Sequence, residues 1–292
     1  LFSFPKIDKL VKADVFFFPN LQMWRWSLQA KVIMTVHDLS FAVMPWTFSF
    51  KMRVWHYFVK PRKYLPLADK IISVSGSTKN DLISLFGIDS QKIETIYHGI
   101  EVERDDDNKY FNQLKEKYSL PDEFLLFVGT LEPRKNLRLL VDALNASTQR
   151  KPLVIIGRLG WLNKDDFEVI INNPRIKWLS SLSDKEKDTL INHCQALIWP
   201  SLYEGFGFPP IEAAVCSKKI LSGVGGSLSE ISGDFSYAFD STNVNNLVTG
   251  LNLLDDLNER SADVSIIKEK YNWHNSAKKL YHVIYETFKN SY

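Results

Sequence analysis

The chain has 292 residues, of which 45% are hydrophobic and 24% charged, and its formal net charge is +2. This length is enough for two domains, and this composition supports buried cores and excludes a disordered chain. The small net charge gives no reason to expect nucleic-acid binding. Two cysteines, Cys194 and Cys216, lack the spacing of a metal site and indicate a reducing compartment.

Short apolar runs alternate with amphipathic stretches from the first residues onward. In the first third of the chain, the apolar runs predict buried strands at 15–18, 32–36, 70–74 and 93–97, and helical spacing predicts a helix at 78–86. A polar, acidic stretch at 101–108 then interrupts the pattern. It is the best candidate for a domain boundary, so we expect a first domain over residues 1–108.

The alternation restarts after this stretch. The predicted strands are 124–128, 153–156, 176–179, 196–199 and 220–222, and the predicted helices are 136–146, 184–194 and 210–215. Near-continuous apolar strands that alternate with helices are typical of parallel sheets covered on both faces. We therefore predict an α/β fold of two doubly wound, Rossmann-like domains. Ligands are expected at the carboxyl ends of the strands and in the crevice between the halves.

The stretch GTLEPRKN joins a predicted strand to a predicted helix. Asn136 is a good N-cap candidate, so Arg134 and Lys135 would stand just before a helix N-terminus. Such a terminus favours anions, Arg can bind a diphosphate bidentately, and Lys adds a compact charge. The stretch therefore predicts a diphosphate site, and a capped helix with solvated basic residues is the alternative. No Gly-x-x-x-x-Gly-Lys-Ser/Thr motif occurs, which excludes a Walker-type loop.

The decapeptide YEGFGFPPIE places two carboxylates around a glycine–aromatic loop. A proline at the first helical position would put Glu212 in the first turn, where it could accept hydrogen bonds from two adjacent hydroxyls, as on a ribose. Glu204 would lie on the loop near a bound sugar. Gly205 and Gly207 would let backbone N–H groups approach a ligand. The alternatives are a helix-dipole carboxylate for Glu212 and a solvated loop acid for Glu204.

The pair His37-Asp38 ends the strand predicted at 32–36. A histidine at the carboxyl end of a strand would face the crevice and could orient or polarise a substrate hydroxyl. The alternative is a histidine whose hydrogen bonds are satisfied within its loop. No Gly-x-Ser-x-Gly elbow occurs, so a serine nucleophile is not indicated.

EPRKN, SLYEGFGFPPIEA and GVGGSLSEISGD together resemble the family 4 glycosyltransferases, which are retaining enzymes of the GT-B architecture. Residues 124–234 carry the densest match, and His37-Asp38, SVSGST and YHGI add matches in the first half. The EPRKN variant resembles the mannosyltransferase branch. The resemblance implies a donor-binding domain over 109–270 and a C-terminal helix in 271–292 that crosses back to the first domain.

The resemblance also implies roles for individual residues. Arg134 and Lys135 match the residues that hold the donor diphosphate. Gly129-Thr130 stands in the donor-binding loop where many relatives have Gly-Arg, so Arg134 is expected to take more of the phosphate charge.

The two glutamates and the histidine match residues around the sugar. Glu212 matches the glutamate that binds the ribose, Glu204 the one near the transferred sugar, and His37 the histidine that faces the donor sugar. The loop whose backbone touches sugar and phosphate is matched by Gly205, Phe206 and Gly207. The catalytic candidates are therefore His37, Glu204, Arg134 and Lys135.

The implied reaction moves a hexose from a nucleotide-sugar, with GDP-mannose favoured, to a saccharide or lipid-linked saccharide with retention of configuration. Two cations and helix N-termini can stabilise the leaving diphosphate without a metal or other cofactor. The one Asp-x-Asp match, Asp105-Asp106-Asp107, is interpreted as a solvated linker.

Two alternatives stay open. One is a nucleotide-sugar epimerase of the same architecture. The other is a truncated nucleotide-binding module without activity, because the family's glycine-rich first loop is expected well before the His-Asp strand and only 36 residues precede His37. The first domain is therefore expected to be incomplete.

Residues 45–63 carry five Lys or Arg, no acid and several aromatics. Such a segment suits an anionic membrane surface, and the alternative is a helix packed in the first domain with its basic face in water. No apolar run approaches the about 18 residues of a membrane span, and no signal peptide is visible. We therefore expect a cytoplasmic protein with a peripheral contact to the cytoplasmic membrane surface.

Overall fold

The computed structural model describes residues 6–21, 25–27, 30–102, 108–257 and 263–289. The chain divides into two compact units, which we call the first unit (Leu1–Gly99 with Lys270–Tyr292) and the second unit (Ile100–Glu269). The predicted boundary at 101–108 lies partly outside the described residues, and the run Asp105-Asp106-Asp107 lies entirely outside them.

A parallel sheet forms the centre of the first unit, with strand order β1-β2-β3-β4. Its strands are β1 (Val15–Phe18), β2 (Lys31–Val36), β3 (Lys70–Ser73) and β4 (Ile93–Thr95). Alternate residues of β2 enter different apolar clusters, Val32 and Met34 on one face and Ile33 on the other. Both faces are covered, which explains why β2 reads as a continuous apolar run.

The described helices of the first unit include α1 (Ile7–Leu10), α2 (Ser40–Val43), α3 (Phe50–Val59), α4 (Pro61–Tyr64) and α5 (Gly76–Phe86). Local sequence sets their ends. The Ser75 hydroxyl accepts a hydrogen bond from the N–H of Thr78 at the start of α5, and Gly87 ends that helix with a φ of 64°. Ser49 caps α3 in the same way, and Lys60 ends it with a φ of 50°.

Six parallel strands form the sheet of the second unit in the order β10-β9-β8-β5-β6-β7, within the part of the chain that the structure describes. They are β5 (Leu125–Val128), β6 (Leu153–Ile156), β7 (Ile176–Leu179), β8 (Ala196–Trp199), β9 (Lys219–Gly223) and β10 (Tyr237–Phe239). The chain runs outward from β5 to β7, returns to β8 beside β5, and then runs outward the other way. The order therefore reverses between β5 and β8. With the sheet of the first unit, this confirms the predicted pair of parallel sheets.

Helices cover the second sheet. They are α6 (Asn108–Tyr118), α7 (Leu137–Ala146), α8 (Lys164–Ile171), α9 (Asp184–His193), α10 (Phe208–Val215), α11 (Leu228–Ser232), α12 (Val244–Asn252) and α13 (Val264–Lys270). The core is densest under α7 and α12, where Leu140, Leu144 and Leu247 have no exposed surface.

The last described helix, α14 (Trp273–Lys289), packs on the sheet of the first unit. Its Leu280, Val283 and Ile284 join the cluster of Ile33, Ile72 and Ile96. Near its start, the Ser276 hydroxyl donates to the carbonyl of Tyr97 at 2.6 Å. Helix α14 therefore covers the sheet face opposite to the one that α5 covers through Leu82. No helix in the described ranges is both long and apolar enough to cross a membrane.

The strand predictions agree with the structure to within two residues at each end, but two local details differ from the predictions. Asn136 stands at the N-cap position of α7, as predicted, but it adopts a left-handed φ of 57°, and its side-chain N–H donates to the carbonyl of Ser241 while its side chain makes no capping hydrogen bond. Helix α10 begins at Phe208 and follows Gly207, which has a φ of 95°. Glu212 therefore lies in the second turn of α10 and not in the first.

The start of α14 lies directly against Gly99, where a Cβ would overlap the backbone nitrogen of Trp273. We expect Gly99→Ala to lower the free energy of unfolding by about 2 kcal/mol in urea denaturation, because a backbone atom cannot move aside as a flexible side chain can. The matched control is Gly250→Ala in α12, where a Cβ meets only the Leu221 side chain at 3.4 Å. Equal stability of the two variants would contradict the expectation.

Candidate functional site

The candidate site lies at the carboxyl ends of β5 and β8, between which the strand order reverses. Ligand sites of doubly wound sheets form at such a switch point, because the loops that follow the two central strands diverge there. The loop after β5 carries Arg134 and Lys135, and the loop after β8 carries Glu204. The N–H of Leu202 donates to the carbonyl of Arg134 at 3.0 Å and joins the two loops.

The guanidinium of Arg134 bridges these loops. The backbone of Arg134 belongs to a single 3₁₀ turn, Pro133–Lys135, that begins with a proline. Nη1 donates to the carbonyl of Tyr203 and to Oε2 of Glu204, both at 2.7 Å, and Nη2 donates to Oε1 of Glu132 at 2.7 Å. Three fixed acceptors hold the planar group in one orientation.

The ammonium of Lys135 lies deeper. Nζ donates to Oε1 of Glu204 at 2.6 Å and lies 4.6 Å from the ring centroid of Trp199. Lys135 and Glu204 are both buried. The cation therefore has an anion on one side and an aromatic face on the other, and bulk salt screens neither contact strongly.

The two carboxylates respond to these cations differently. Burial alone would raise the pKa of Glu204, but Lys135 and Arg134 outweigh burial and lower it to about 2. Burial raises the pKa of Glu132 above its ordinary value, although Arg134 and Lys135 oppose that shift. Glu204 is therefore fully ionised near neutral pH.

We call Arg134, Lys135, Glu132 and Glu204 the four-charge cluster. Its formal charges sum to zero, and its three ion pairs give each cation a carboxylate partner. A diphosphate that bound here would have to share the cations with Glu204 or replace it. The sequence brings the cations to the expected place, and the structure adds that they already hold a carboxylate partner.

Glycines let the loop after β9 approach the loop after β8. Glu204 and Gly226 form an isolated parallel bridge, and the N–H of Ser227 donates to the carbonyl of Glu204 at 2.9 Å. Gly226 has a φ of 65°, and a Cβ on Gly225 or Gly226 would overlap the backbone of the neighbouring loop. This approach fixes the backbone from which the Glu204 side chain extends.

Three of the residues predicted to touch the ligand are buried, namely Gly205, Phe206 and Gly207. The carbonyl of Phe206 accepts a hydrogen bond from the Ser227 hydroxyl at 2.9 Å. On the loop after β5, the N–H of Gly129 donates to the carbonyl of Ile156 at 2.7 Å, and Thr130 is exposed.

Glu212 belongs to a second ion pair. Its Oε1 accepts from Nζ of Lys187, on α9, at 2.7 Å. Burial raises the pKa of Glu212, and Lys187 opposes that shift. The pair keeps the carboxylate of Glu212 on the side of α10 that faces α9.

His37 lies in the first unit, at the carboxyl end of β2. Its Nε2 lies 2.9 Å from the carbonyl oxygen of Pro19, and its Nδ1 lies 3.3 Å from Nε2 of His98. The neighbouring Asp38 carboxylate accepts from the N–H and the hydroxyl of Ser40 and so begins α2. Both of these partners lie outside the loop that carries His37.

Sequence reasoning missed three contacts of the candidate site, those of Glu132, Lys187 and Trp199. Glu132 stands in the EPRKN motif itself, so its carboxylate beside two cations was the available signal. Trp199 ends a strand that points at the site, which is a weaker signal. No signal in the sequence pointed to Lys187, because 25 positions separate it from Glu212.

Comparison with known proteins decides the family. Residues 110–273 match the family described as "Glycosyl transferases group 1", and residues 3–104 match "Glycosyltransferase Family 4". The chain belongs to the group 1 glycosyl transferases. The resemblance to family 4 is thereby confirmed.

The relatives of this glycosyl transferase include mannosyltransferases. The chain is 29% identical over 229 residues to the serotype-specific mannosyltransferase WbdA of Escherichia coli, covering 72% of this chain and 28% of that protein. Among solved structures, sucrose-phosphate synthase of Thermosynechococcus elongatus matches with a TM-score of 0.76 at 16% identity, over 97% of this chain and 76% of that one. The Anabaena HepE protein in complex with UDP-glucose matches with a TM-score of 0.73 at 16% identity, over 94% and 79%. The fold is GT-B, as predicted.

Because Glu204 is ionised in the folded protein, the free energy of unfolding depends on pH. Its pKa is about 2 in the fold against an ordinary value of 4.5. Its contribution is therefore complete above about pH 4.5 and is lost as the pH falls towards 2. We expect the difference in unfolding free energy between the wild type and Glu204→Gln, from urea titrations, to narrow across that window.

The matched control for this prediction is Glu168→Gln, which removes an exposed i,i+4 pair with Lys164. This control should leave stability nearly unchanged at every pH, because exposed pairs contribute at most about 1 kcal/mol. A wild-type advantage over Glu204→Gln that stays constant from pH 5 to pH 2 would contradict the assignment.

Proposed function

We propose that this protein transfers a hexose, with mannose favoured, from a nucleotide-sugar donor to a saccharide or lipid-linked saccharide acceptor. The observation that carries the proposal is the four-charge cluster, because its cations follow a central strand at the switch point of a doubly wound sheet. The family supports the reaction class, WbdA supports mannose, and the HepE complex supports a nucleotide-sugar donor.

In this proposal, Arg134 and Lys135 hold the donor diphosphate and stabilise the negative charge that develops on it as the sugar bond breaks. Glu204 orients the transferred sugar, Glu212 binds the ribose hydroxyls, and His37 faces the donor sugar. The backbone of the donor-binding loops in the second unit is supplied by Gly129, Thr130, Gly205, Phe206 and Gly207.

Donor binding is then an exchange of anionic partners. Without donor, Glu204 satisfies one cation at each carboxylate oxygen. The diphosphate then becomes an anionic partner of the two cations. The carboxylate of Glu204 accepts hydrogen bonds from the sugar hydroxyls instead. The buried cations thus keep an anionic partner throughout, which avoids the several kcal/mol cost of an unpaired buried charge.

Transfer proceeds with retention, by attack of the acceptor hydroxyl on the face from which the diphosphate leaves, and without a metal. Transfer rates that do not change on addition of EDTA, and a product with the donor's anomeric configuration by NMR, would support this part of the proposal. Loss of transfer in EDTA that Mn²⁺ restores would contradict it.

A donor screen separates this function from the alternatives. GDP-mannose, UDP-glucose and UDP-GlcNAc are each incubated with and without acceptor sugars, and calorimetry measures the binding of GDP and UDP. Acceptor-dependent sugar transfer supports the proposal. Formation of an epimer or release of nucleotide without acceptor would favour an epimerase, and binding without turnover would favour an inactive nucleotide-binding module.

Replacing one cation tests the cluster directly. We expect Lys135→Met to lower kcat/KM by about 100-fold, because it removes a charge that stabilises the leaving diphosphate. The double variant Lys135→Met with Glu204→Gln restores the charge balance, so it should regain stability without regaining turnover. Arg138→Met, which removes an exposed cation paired with Asp142, is the control. Near-normal turnover in Lys135→Met would contradict the role of Lys135.

We also propose that the first unit contacts an anionic membrane surface, at the cytoplasmic face, through residues 45–63, which we call the basic aromatic segment. Its Trp46, Phe50, Tyr57 and Phe58 are 69%, 78%, 72% and 61% exposed. A largely apolar cavity of about 530 Å³ lies beside them, and four of its lining residues are Lys or Arg. Exposed rings suit the headgroup region of a bilayer, and the cations suit anionic lipid.

Liposome co-sedimentation tests this contact with vesicles of phosphatidylcholine alone and of phosphatidylcholine with phosphatidylglycerol. We expect binding to the anionic vesicles, and Lys51→Gln with Arg53→Gln should weaken it by roughly 1 kcal/mol per removed charge. Lys164→Gln, an exposed lysine of the second unit, is the control. Equal sedimentation with both vesicle types would contradict the contact.

A further inference from the structure

Both ring nitrogens of His37 have a partner in the first unit. Nε2 lies 2.9 Å from the carbonyl oxygen of Pro19, and Nδ1 lies 3.3 Å from Nε2 of His98. A carbonyl oxygen can only accept a hydrogen bond, so the proton of a neutral His37 ring lies on Nε2 and Nδ1 carries none. The contact between the two histidines then requires His98 to donate its Nε2–H.

His98 is suited to donate this bond. Burial, together with the nearby His37, lowers the pKa of His98 to about 4. Near neutral pH its ring therefore carries a single proton, and the contact with His37 places that proton on Nε2. The ring centroids of His98 and His37 lie 5.3 Å apart with the ring planes 12° from parallel, and the shortest polar contact between the rings is the 3.3 Å between Nδ1 of His37 and Nε2 of His98.

The C-terminal segment holds His98 in place. The ring of Trp273, the first residue of α14, lies 5.5 Å from the ring of His98. Gly99 allows that approach, since a Cβ there would overlap Trp273. Pro19, His37, His98 and Trp273 also line a largely apolar cavity of about 310 Å³. His37 itself is exposed to solvent, so its Nε2 side is open to a ligand.

Two charged residues near the pair make contacts of their own. The Asp38 carboxylate accepts two hydrogen bonds from Ser40. On the segment that leads into α14, the ammonium of Lys270 lies over the ring of Tyr97, 5.7 Å from its centroid. The lowered pKa of His98 arises from burial and from His37, in that order.

We propose that His98 is a positioning residue that fixes His37 as the Nε2–H tautomer, so that His37 donates a hydrogen bond to a substrate hydroxyl and does not act as a base. Action as a base needs a proton-free nitrogen directed at the substrate, and the proton-free Nδ1 is occupied by His98. A sugar hydroxyl that reaches His37 replaces the Pro19 carbonyl as acceptor of the Nε2–H. The substrate in this inference rests on the proposed function, whereas the tautomer rests on the geometry of the first unit.

NMR of the protein with ¹⁵N-labelled histidine tests the tautomer. We expect His37 to show a protonated Nε2 and a proton-free Nδ1, and His98 to titrate with a midpoint near pH 4. The variants His98→Gln and His98→Glu then separate a positioning role of His98 from a packing role, because Gln and Glu have the same shape and differ in whether they can donate a hydrogen bond. The Gln amide can still donate to Nδ1, so the His37 tautomer should persist. The Glu carboxylate can only accept, so Nδ1 of His37 should gain a proton.

The control is His193→Gln in the second unit, where the histidine bonds to the carbonyl of Thr189 and stacks on Phe111. It should leave the His37 signals unchanged. A protonated Nδ1 in the wild type, a proton-free Nδ1 in His98→Glu, or a His98 midpoint near its ordinary 6.5 would each overturn the proposal.

Kinetics add a second readout. With an active donor, His98→Gln should keep most of the wild-type kcat. His98→Glu should lower kcat by about ten-fold with a smaller change in KM, because a neutral His37 ring whose single proton has moved to Nδ1 has no proton on Nε2 to donate to the hydroxyl in the transition state. Equal kcat values for the two variants would overturn the link to the substrate. Absence of transfer with every donor would contradict the proposed function, while the NMR result would still decide the tautomer.

Discussion

Two cations and two carboxylates meet at the switch point of the second unit, and all but the partly buried Arg134 are buried. The loops around them depend on the balance of these charges. An unpaired buried charge costs several kcal/mol, so no member of the four-charge cluster is stable in place without the others. Arg134 and Lys135 come from the loop after β5, and Glu204 comes from the loop after β8. The two loops therefore take their conformations together. The hydrogen bond between Leu202 and Arg134 reinforces this coupling in the backbone.

Internal neutrality also shapes what the site can bind. A cluster without net charge does not attract every anion strongly, since Glu204 already occupies both cations. A ligand gains most when it offers a separate anionic group to each cation, as a diphosphate does and a single carboxylate does less well. In the proposed function, the donor diphosphate is such a ligand. The glycines at 225 and 226 contribute by fixing the backbone from which the Glu204 side chain extends.

The sequence predicted the strands closely because strands covered on both faces must be apolar throughout, as β5 is. It predicted local caps less well, because Asn136 suits a capping position but the turn from Pro133–Lys135 into α7 requires a left-handed residue there. Side-chain partners across the sheet were beyond sequence reasoning. Glu204 lies 70 positions from Arg134, and apolar periodicity carries no information about which loops meet. The motif resemblance named these two loops but not the ion pairs between them.

The protonation of His37 also depends on contacts that sequence reasoning could not predict. The sequence places a histidine at the end of a strand, and the resemblance gives it a ligand to face. Whether His37 donates or accepts a proton depends on which of its ring nitrogens already has a hydrogen-bond partner. His98, 61 positions later in the chain, is the partner of Nδ1, and Trp273 packs against His98. Helix α14 packs on the face of the sheet that contains Ile33 of β2, so the return of the chain to the first unit holds both the strand and the partner of its terminal histidine. The C-terminal helix is therefore part of the physical environment that fixes the protonation pattern of His37.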